Sequence, residues 1–175
     1  MRIEIERLDA QGEAFAHRYA TDELSLDDET ARVASEASVS GRATRKGDEV
    51  RLRGTVTAEV EVYCDRCAAP IVAPLEVEFD TSFIPAEVER GVVENVELKA
   101  FDLDRSVYEG GEVDVDDLVR EQILLALPTR SLCREDCKGL CPACGADLNA
   151  GDCACDKEET DPRWAALGAL KNEKP

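Results

Sequence analysis

Eight cysteines constrain this chain of 175 residues more than any other feature, because six of them lie between positions 133 and 155. They occur in the run Cys133-Arg-Glu-Asp-Cys137-Lys-Gly-Leu-Cys141-Pro-Ala-Cys144 and in Cys153-Ala-Cys155, while Cys64 and Cys67 form a separate pair upstream. Thiols two or three residues apart converge on one point, as a tetrahedral zinc site with bonds of about 2.3 Å requires. The spacing therefore predicts zinc, held by Cys64, Cys67, Cys133, Cys137, Cys141, Cys144, Cys153 and Cys155.

Disulfide bonds and redox chemistry are the competing uses of such cysteines. Clustered cysteines in small secreted chains usually form disulfides, but the first residues alternate charged and apolar and lack the apolar core of a secretory signal. We therefore expect the chain to stay in the reducing cytoplasm. Redox-active Cys-x-x-Cys pairs need a strand-to-helix context and a lowered thiol pKa, whereas the residues around Cys64 predict a strand, a turn and a strand. Zinc is the preferred interpretation.

The order of the cysteines suggests how the ligands divide between two sites. Pro142 stiffens the turn inside the main run, and Gly145 permits a positive φ beside the metal. The short return to the last two cysteines favours one set made of Cys141, Cys144, Cys153 and Cys155. The other set would then be Cys64, Cys67, Cys133 and Cys137. Four pairs can combine in other ways, and spacing alone does not choose among them.

Alternating apolar residues predict an antiparallel β domain before the main cysteine run. Every second residue from Val50 to Val62 is apolar or glycine, and polar residues fill the other face. A turn at Lys46-Gly47-Asp48 pairs this strand with one around Val33 to Thr44. The alternation resumes from Ile71 to Phe79, which places Cys64 and Cys67 at the tip of a hairpin.

The segments outside this pattern are less regular. Residues Arg2 to Leu8 alternate as a strand, whereas Ala10 to Asp28 is polar and predicts mostly loop, with His17 on the surface. A short strand is expected near Val96 to Phe101. An apolar stripe that begins after the N-cap Asp114 and stops at Pro128 predicts a helix.

These elements predict an α+β fold with two parts. Residues 1–128 form an antiparallel β-sheet or partly open barrel with one packed helix. Residues 129–175 form a cysteine-rich zinc-binding arm, called the cysteine arm below, with a short C-terminal helix from Asp161 to Leu170.

The charge of the chain limits its partners. The formal net charge is −18, from 39 acidic and 21 basic residues. Such a surface repels phosphate backbones, so broad electrostatic capture of nucleic acid is disfavoured and only a local basic patch could serve it. The longest apolar stretch, Ile123 to Leu127, is too short to span a bilayer, and no membrane partner is expected. No phosphate-binding glycine loop or catalytic Ser/His/Asp set is present, so we expect no enzyme activity.

Four strings of sequence together resemble a known family. They are Cys64-Asp-Arg-Cys67, Asp114-Val-Asp-Asp-Leu-Val-Arg-Glu-Gln-Ile-Leu-Leu-Ala-Leu-Pro128, Cys137-Lys-Gly-Leu-Cys-Pro-Ala-Cys-Gly145 continuing to Asp147-Leu-Asn149, and Asp161-Pro-Arg-Trp-Ala-Ala-Leu167. In this order they resemble the bacterial YceD family, the large-subunit ribosomal RNA accumulation proteins, over about residues 39 to 170.

The resemblance implies a function. It implies a cytoplasmic, non-enzymatic ribosome-biogenesis factor for accumulation or maturation of large-subunit ribosomal RNA, acting on the precursor RNA or an assembly intermediate. Members of the family differ in whether they keep the cysteine arm, so zinc is expected to stabilise this version of the fold. A closed four-thiolate site has no open position for catalysis, which fits that role.

Direct RNA contact would need cations, and the predicted hairpin supplies the best candidates: Arg42, Arg45, Lys46, Arg51 and Arg53. The competing interpretation is an ordinary solvated strand surface with cross-strand ion pairs. A weaker patch surrounds the predicted metal site, at Arg130, Arg134 and Lys138. Alternatively, the acidic surface makes the protein a binding module or chaperone for a basic ribosomal protein.

Overall fold

Eight strands and one complete helix occupy the parts of the chain that the computed structural model describes, which are residues 1–87, 105–155 and Arg163. The strands are β1 (Arg2–Glu4), β2 (Glu13–Tyr19), β3 (Ala31–Val33), β4 (Ala37–Lys46), β5 (Glu49–Tyr63), β6 (Pro70–Pro85), β7 (Arg105–Tyr108) and β8 (Glu112–Asp114). The helix is α1 (Val115–Ala126), and a 3₁₀ turn covers Ile5–Arg7. No helix in these ranges is both long enough and apolar enough to cross a membrane.

The strands form one large and one small sheet. The large sheet has the order β2-β4-β5-β6-β7, with β3 pairing against β5 beyond the end of β4, and β1 pairs with β8. β4, β5 and β6 form an antiparallel meander, while β7 runs parallel to β6. The predicted sheet with a packed helix is confirmed as an open sheet, but it is mixed instead of purely antiparallel. The barrel alternative is not found among the described strands, because the edge strands of the large sheet, β2 and β7, do not pair with each other.

The inward face of β5 and the apolar stripe of α1 meet in the core. Val50, Leu52 and Val60 on β5 are completely buried, and so are Val119 and Ile123 on α1. Each such side chain contributes about 1.5–3 kcal/mol through burial. The predicted alternation is therefore confirmed, and it determines which face of the long meander is exposed to solvent.

The predicted limits of the helix are also confirmed. The Asp114 carboxylate accepts a hydrogen bond from the Asp116 backbone N–H at 2.9 Å, which satisfies a free donor of the first turn. The helix ends at Ala126, two residues before Pro128, whose ring disfavours helical geometry in the residue before it.

Two predictions about the N-terminal segment are confirmed only in part. The expected strand from Arg2 to Leu8 ends at Glu4, where the chain enters the 3₁₀ turn. The segment predicted as mostly loop contains β2, which pairs with β4 along its whole length and buries Phe15 and Tyr19. Pairing with β4 specifies this strand, because its own polar pattern is weak. The strand expected near Val96 to Phe101 and the helix expected from Asp161 to Leu170 lie outside the described residues.

Candidate metal centres and a basic strand surface

The first cysteine pair lies at the tip of the β5–β6 hairpin, as predicted. Cys64 follows β5 directly, and Cys67 stands in the turn before β6. The Cys64 N–H donates to the carbonyl of Ala69 at 2.8 Å, and the Ala68 N–H donates to the carbonyl of Cys64 at 2.9 Å. The ladder of two long strands thus supplies a fixed base for two thiols that face the same side of the turn.

Two thiols of the cysteine arm join this pair to form the first cluster, which consists of Cys64, Cys67, Cys133 and Cys137. Its four sulfur atoms lie within 4.8 Å of one another. The Cys64 and Cys137 sulfurs are 3.9 Å apart, and those of Cys67 and Cys133 are 3.7 Å apart. A tetrahedral zinc site with bonds of about 2.3 Å places its sulfurs about 3.8 Å apart, whereas disulfide sulfurs are about 2.0 Å apart. The spacing therefore fits a zinc tetrahedron and not a disulfide.

Hydrogen bonds from backbone and side-chain groups fasten the cysteine arm to the hairpin tip beside this cluster. The Asp65 N–H donates to the Ser131 carbonyl at 2.8 Å, and the Ser131 N–H donates back to the Asp65 carboxylate at 2.7 Å. Arg66 donates to the Cys137 carbonyl at 2.6 Å and accepts from the Leu140 N–H at 2.9 Å. Gly139 has a φ of +77°, and a side chain there would meet the Arg66 carbonyl at 2.8 Å. A glycine is therefore required where the arm passes the tip.

The second cluster lies wholly within the cysteine arm and consists of Cys141, Cys144, Cys153 and Cys155. Its sulfur atoms also lie within 4.8 Å of one another. The Gly145 N–H donates to the Cys141 carbonyl at 2.8 Å, and Gly145 has the positive φ, +73°, that its place in the sequence predicts. Cys141 is buried while Cys144 is exposed, so this cluster is more open to solvent than the first, in which Cys64 and Cys137 are both buried.

Four neighbouring thiolates in either cluster would need a cation to balance their negative charge. Backbone N–H groups lower the pKa of two thiols to about 6: that of Cys64, chiefly through Cys133, and that of Cys141, chiefly through Cys144. Hydrogen bonding with Cys144 is the main reason that the pKa of Cys155 rises to about 12. Four adjacent thiols lose all their protons only when a cation neutralises the thiolates. Four soft sulfur donors in tetrahedral spacing suit zinc.

The structure groups the eight thiols into the two sets that the spacing favoured, and this confirms the predicted grouping. Zinc ligation itself stays a prediction.

The predicted basic patch is divided by strand alternation. Arg42, Lys46, Arg51 and Arg53 lie on the outward face of β4 and β5, where Arg42 is directly opposite Arg53. Arg45 has the opposite orientation and donates to the carbonyls of Ile5 at 3.2 Å and Gly47 at 2.9 Å.

Two of the outward arginines have a carboxylate partner. Arg51 and Arg53 both contact Asp80 on β6, at 2.6 and 2.7 Å, so the cross-strand ion pairs of the competing interpretation are present. The hydrogen bond from Arg51 is the main reason that the pKa of Asp80 lies below its usual value. In the weaker patch, Arg134 contacts Asp136 and Asn149, while Arg130 and Lys138 are exposed.

Sequence reasoning assigned no role to Asn149, which links the two clusters. Its side chain accepts hydrogen bonds from the Lys138 N–H and from Arg134, and it donates to the Cys137 sulfur at 3.5 Å and to Asp147 at 2.7 Å. The spacing of Asp147 and Asn149 is typical of a side-chain-capped turn. That spacing does not indicate that Asn149 contacts Cys137, which lies 12 residues earlier in the chain.

Comparison with known proteins supplies the family. The family model described as "Large ribosomal RNA subunit accumulation protein YceD" matches residues 52–171. The chain belongs to the YceD family. The matched region begins in β5 and contains both cysteine clusters and α1, so the resemblance seen in the sequence is confirmed.

Relatives of this YceD family member occur in several groups of organisms. An uncharacterized protein of Mycobacterium tuberculosis is 32% identical over 126 residues, which are 72% of this chain and 58% of that protein. The uncharacterized protein YlbN of Bacillus subtilis is 27% identical over 168 residues, covering 95% of this chain and 92% of YlbN. A chloroplastic protein of Arabidopsis thaliana named as a YCED homolog is 25% identical over 155 residues, covering 77% of this chain and 48% of the homolog. The chain thus spans little more than half the length of the mycobacterial relative. No solved structure matches.

Proposed function

We propose that this YceD family member is a non-enzymatic ribosome-biogenesis factor that supports accumulation or maturation of large-subunit ribosomal RNA. The observation that carries the proposal is the family match over residues 52–171, whose description names large ribosomal RNA subunit accumulation. The Arabidopsis relative carries the same words in its name. We expect the protein to act in the cytoplasm, where a reducing environment keeps eight thiols available as ligands.

Zinc has a structural role in this proposal. Each cluster offers four thiols, which complete a tetrahedral coordination shell and leave no position for a water or a substrate. The first cluster takes two ligands from the hairpin tip and two from the cysteine arm, so a metal there would join the sheet to the arm. The second cluster would order the arm itself. Together they would present the arm in a fixed position relative to the sheet.

We expect protein purified without chelators to contain two zinc ions per chain. Both clusters have the same four soft donors, and neither shares a ligand with the other. Elemental analysis of the purified protein, with protein concentration determined by amino-acid analysis, measures the ratio. A ratio below one zinc per chain would contradict the structural role of zinc.

The proposed RNA contact is the outward face of β4 and β5, which carries Arg42, Lys46, Arg51 and Arg53. Arg42 and Arg53 lie directly opposite each other across β4 and β5, and like charges in that position repel. An anion placed between them would remove the repulsion. Because Asp80 already partners Arg51 and Arg53, only a small number of phosphate contacts is available. Such contacts give weak, salt-sensitive binding, which suits a transient assembly factor.

We expect the double substitution Arg42→Gln and Arg53→Gln to reduce co-sedimentation with large-subunit precursor particles. Each lost phosphate contact should also lower the slope of log affinity against log salt by about 0.7–0.9. Both arginines are exposed, so the loss of the Arg53 ion pair with Asp80 and of the Arg42 hydrogen bonds to the carbonyls of Gln11 and Gly12 should change the free energy of unfolding by only about 1 kcal/mol per arginine.

The double substitution Arg18→Gln and Arg32→Gln is the matched control. It removes the same charge from exposed arginines that pair with Glu36 and Glu61 elsewhere on the strands. If both double variants reduce co-sedimentation equally, the overall charge and not the position of Arg42 and Arg53 governs the association.

A protein-binding role is the second candidate, and one observation favours it. Glu76 and Glu78 are exposed on the outward face of β6, opposite Thr57 and Thr55, and neither has a basic partner among the described residues. A basic ribosomal protein could neutralise this stripe. Association with precursor particles that survives ribonuclease, and that Glu76→Gln with Glu78→Gln abolishes, would favour this role over direct RNA binding.

A further inference from the structure

We infer that Asn149 is a positioning residue that couples the two metal centres, so that metal in the second centre raises the affinity of the first. The inference rests on the zinc sites proposed above. Asn149 lies in the loop between Cys144 and Cys153, which are both thiols of the second cluster. Its amide nevertheless donates to the sulfur of Cys137, a buried thiol of the first cluster.

The partners of Asn149 determine the orientation of its amide. The backbone N–H of Lys138 and the guanidinium of Arg134 can only donate, so the side-chain oxygen must face them, at 2.8 and 2.7 Å. The amide nitrogen then faces two acceptors, the Asp147 carboxylate at 2.7 Å and the Cys137 sulfur at 3.5 Å. Every polar atom of this half-buried side chain is used, and one donor is directed at a prospective metal ligand.

A donor in this position acts on the metal through its ligand. Hydrogen bonds from surrounding groups to ligating atoms orient them, and their loss typically lowers metal affinity 10- to 100-fold. The loop that carries Asn149 is fixed at both ends by thiols of the second cluster, and the Leu148 N–H also donates to the Gly139 carbonyl beside Cys137. An empty second centre would release the loop and withdraw the donor from Cys137. By linkage, metal in the first centre must favour the second by the same factor.

The substitution Asn149→Asp tests the role of the donor. An aspartate keeps the shape and the oxygen that accepts from Lys138 and Arg134, but it presents an acceptor to Cys137 and to Asp147. The control Asp152→Asn changes an exposed side chain of the same loop that lies in neither cluster. Adding Asp147→Asn to Asn149→Asp removes the new repulsion between carboxylates while the donor to Cys137 stays absent.

The measurement is a chelator competition on the full chain loaded with Co²⁺, followed through thiolate-to-cobalt absorption. Variants that lack one centre, Cys64→Ser with Cys67→Ser or Cys141→Ser with Cys144→Ser, assign the two steps of release. We expect Asn149→Asp, with or without Asp147→Asn, to weaken the first centre about 10- to 100-fold, and Asp152→Asn to leave it unchanged.

Non-additivity is the decisive result. Where the second centre has been removed, the first should already be weakened, and Asn149→Asp should then have little further effect. Losses that add would overturn the inference, because Asn149 would then act on the first centre independently of the second. The inference would also be overturned if Asn149→Asp left the metal affinity of the first centre unchanged. The same holds if metal in the second centre still raised the affinity of the first in that variant as much as it does in the unsubstituted protein.

Discussion

Replacing Cys141 and Cys144 with serine is expected to remove one zinc ion per chain and to unfold the cysteine arm around the second cluster, while the sheet stays folded. Within residues 129–155, Cys137 and Cys141 are the buried apolar side chains, and Leu140 is 40% exposed. A segment with so little buried surface cannot offset the entropy of ordering its backbone without a metal. The sheet and α1 share a separate core.

Limited proteolysis with mass spectrometry measures this result. The variant should lose the region after Cys137, the last ligand of the first cluster, and leave a resistant fragment that contains the sheet, α1 and that cluster. Unfolding of this part of the arm without the sheet would support the proposed division into a β domain, residues 1–128, and a cysteine arm, residues 129–175. Degradation of the variant throughout would show that the two parts fold as one unit.

Two further variants separate the loss of metal from other effects. Ala143→Ser with Ala154→Ser introduces two serines into the same loops while all the thiols remain, and it should keep both zinc ions and resist proteolysis. Cys64→Ser with Cys67→Ser removes the first centre instead. In that variant the arm should come away from the hairpin tip, because Cys64 and Cys67 are the tip's contribution to the first cluster. Protection of the second cluster against proteolysis should then persist in part, weakened by the coupling through Asn149.

Local pattern was enough to predict the central strands and the helix. From Val50 to Val62 every second residue is apolar or glycine, and only a strand places such a series on one face. The helix carries its own N-cap at Asp114 and its own stop at Pro128. The grouping of the cysteines was accessible only in part: the short return from Cys144 to Cys153 favours one set, but spacing alone leaves other combinations open, and the structure chooses among them.

Long-range pairing was not accessible from the sequence. Strand β2 has exposed alanines at positions 14 and 16, and its polar residues Glu13 and His17 lie on the same side as Phe15 and Tyr19. This mixture hides the alternation, and only the seven-residue pairing with β4 makes the segment a strand. Strand β7 pairs parallel to β6, so the two are not joined by a tight hairpin turn whose sequence would have indicated the strand.

The same distinction applies to the candidate site. Successive residues of a strand lie on opposite faces, so Arg45 must face away from Arg42 and Lys46 on β4. The division of the basic patch between two faces was therefore predictable from the sequence. The pairing of Arg51 and Arg53 with Asp80 could not, because it depends on the register between β5 and β6. The contact of Asn149 with Cys137 likewise depends on how two loops of the cysteine arm pack together.

Substitution of Gly54 by alanine is expected to destabilise the sheet by about 3 kcal/mol or more, at the upper end of what overpacking normally costs. Gly54 lies in the middle of β5, opposite Gly41 on β4 and Phe79 on β6. A Cβ atom there would meet the Ser40 carbonyl oxygen at 2.2 Å and the Gly41 Cα at 2.8 Å. Both are backbone atoms of the neighbouring strand, so the conflict can be relieved only by separating β4 from β5.

Urea denaturation, followed by far-ultraviolet circular dichroism, measures the loss as a lower midpoint. Gly47→Ala and Gly151→Ala are the controls, because a Cβ atom at either position meets nothing within 4 Å. Gly47 has a φ of +67°, so its substitution should cost about 1 kcal/mol through backbone strain alone. Gly151 carries no such φ, and its substitution should stay within about 0.5 kcal/mol. A midpoint for Gly54→Ala equal to that of Gly47→Ala would show that the close approach of β4 and β5 is not what requires a glycine at position 54.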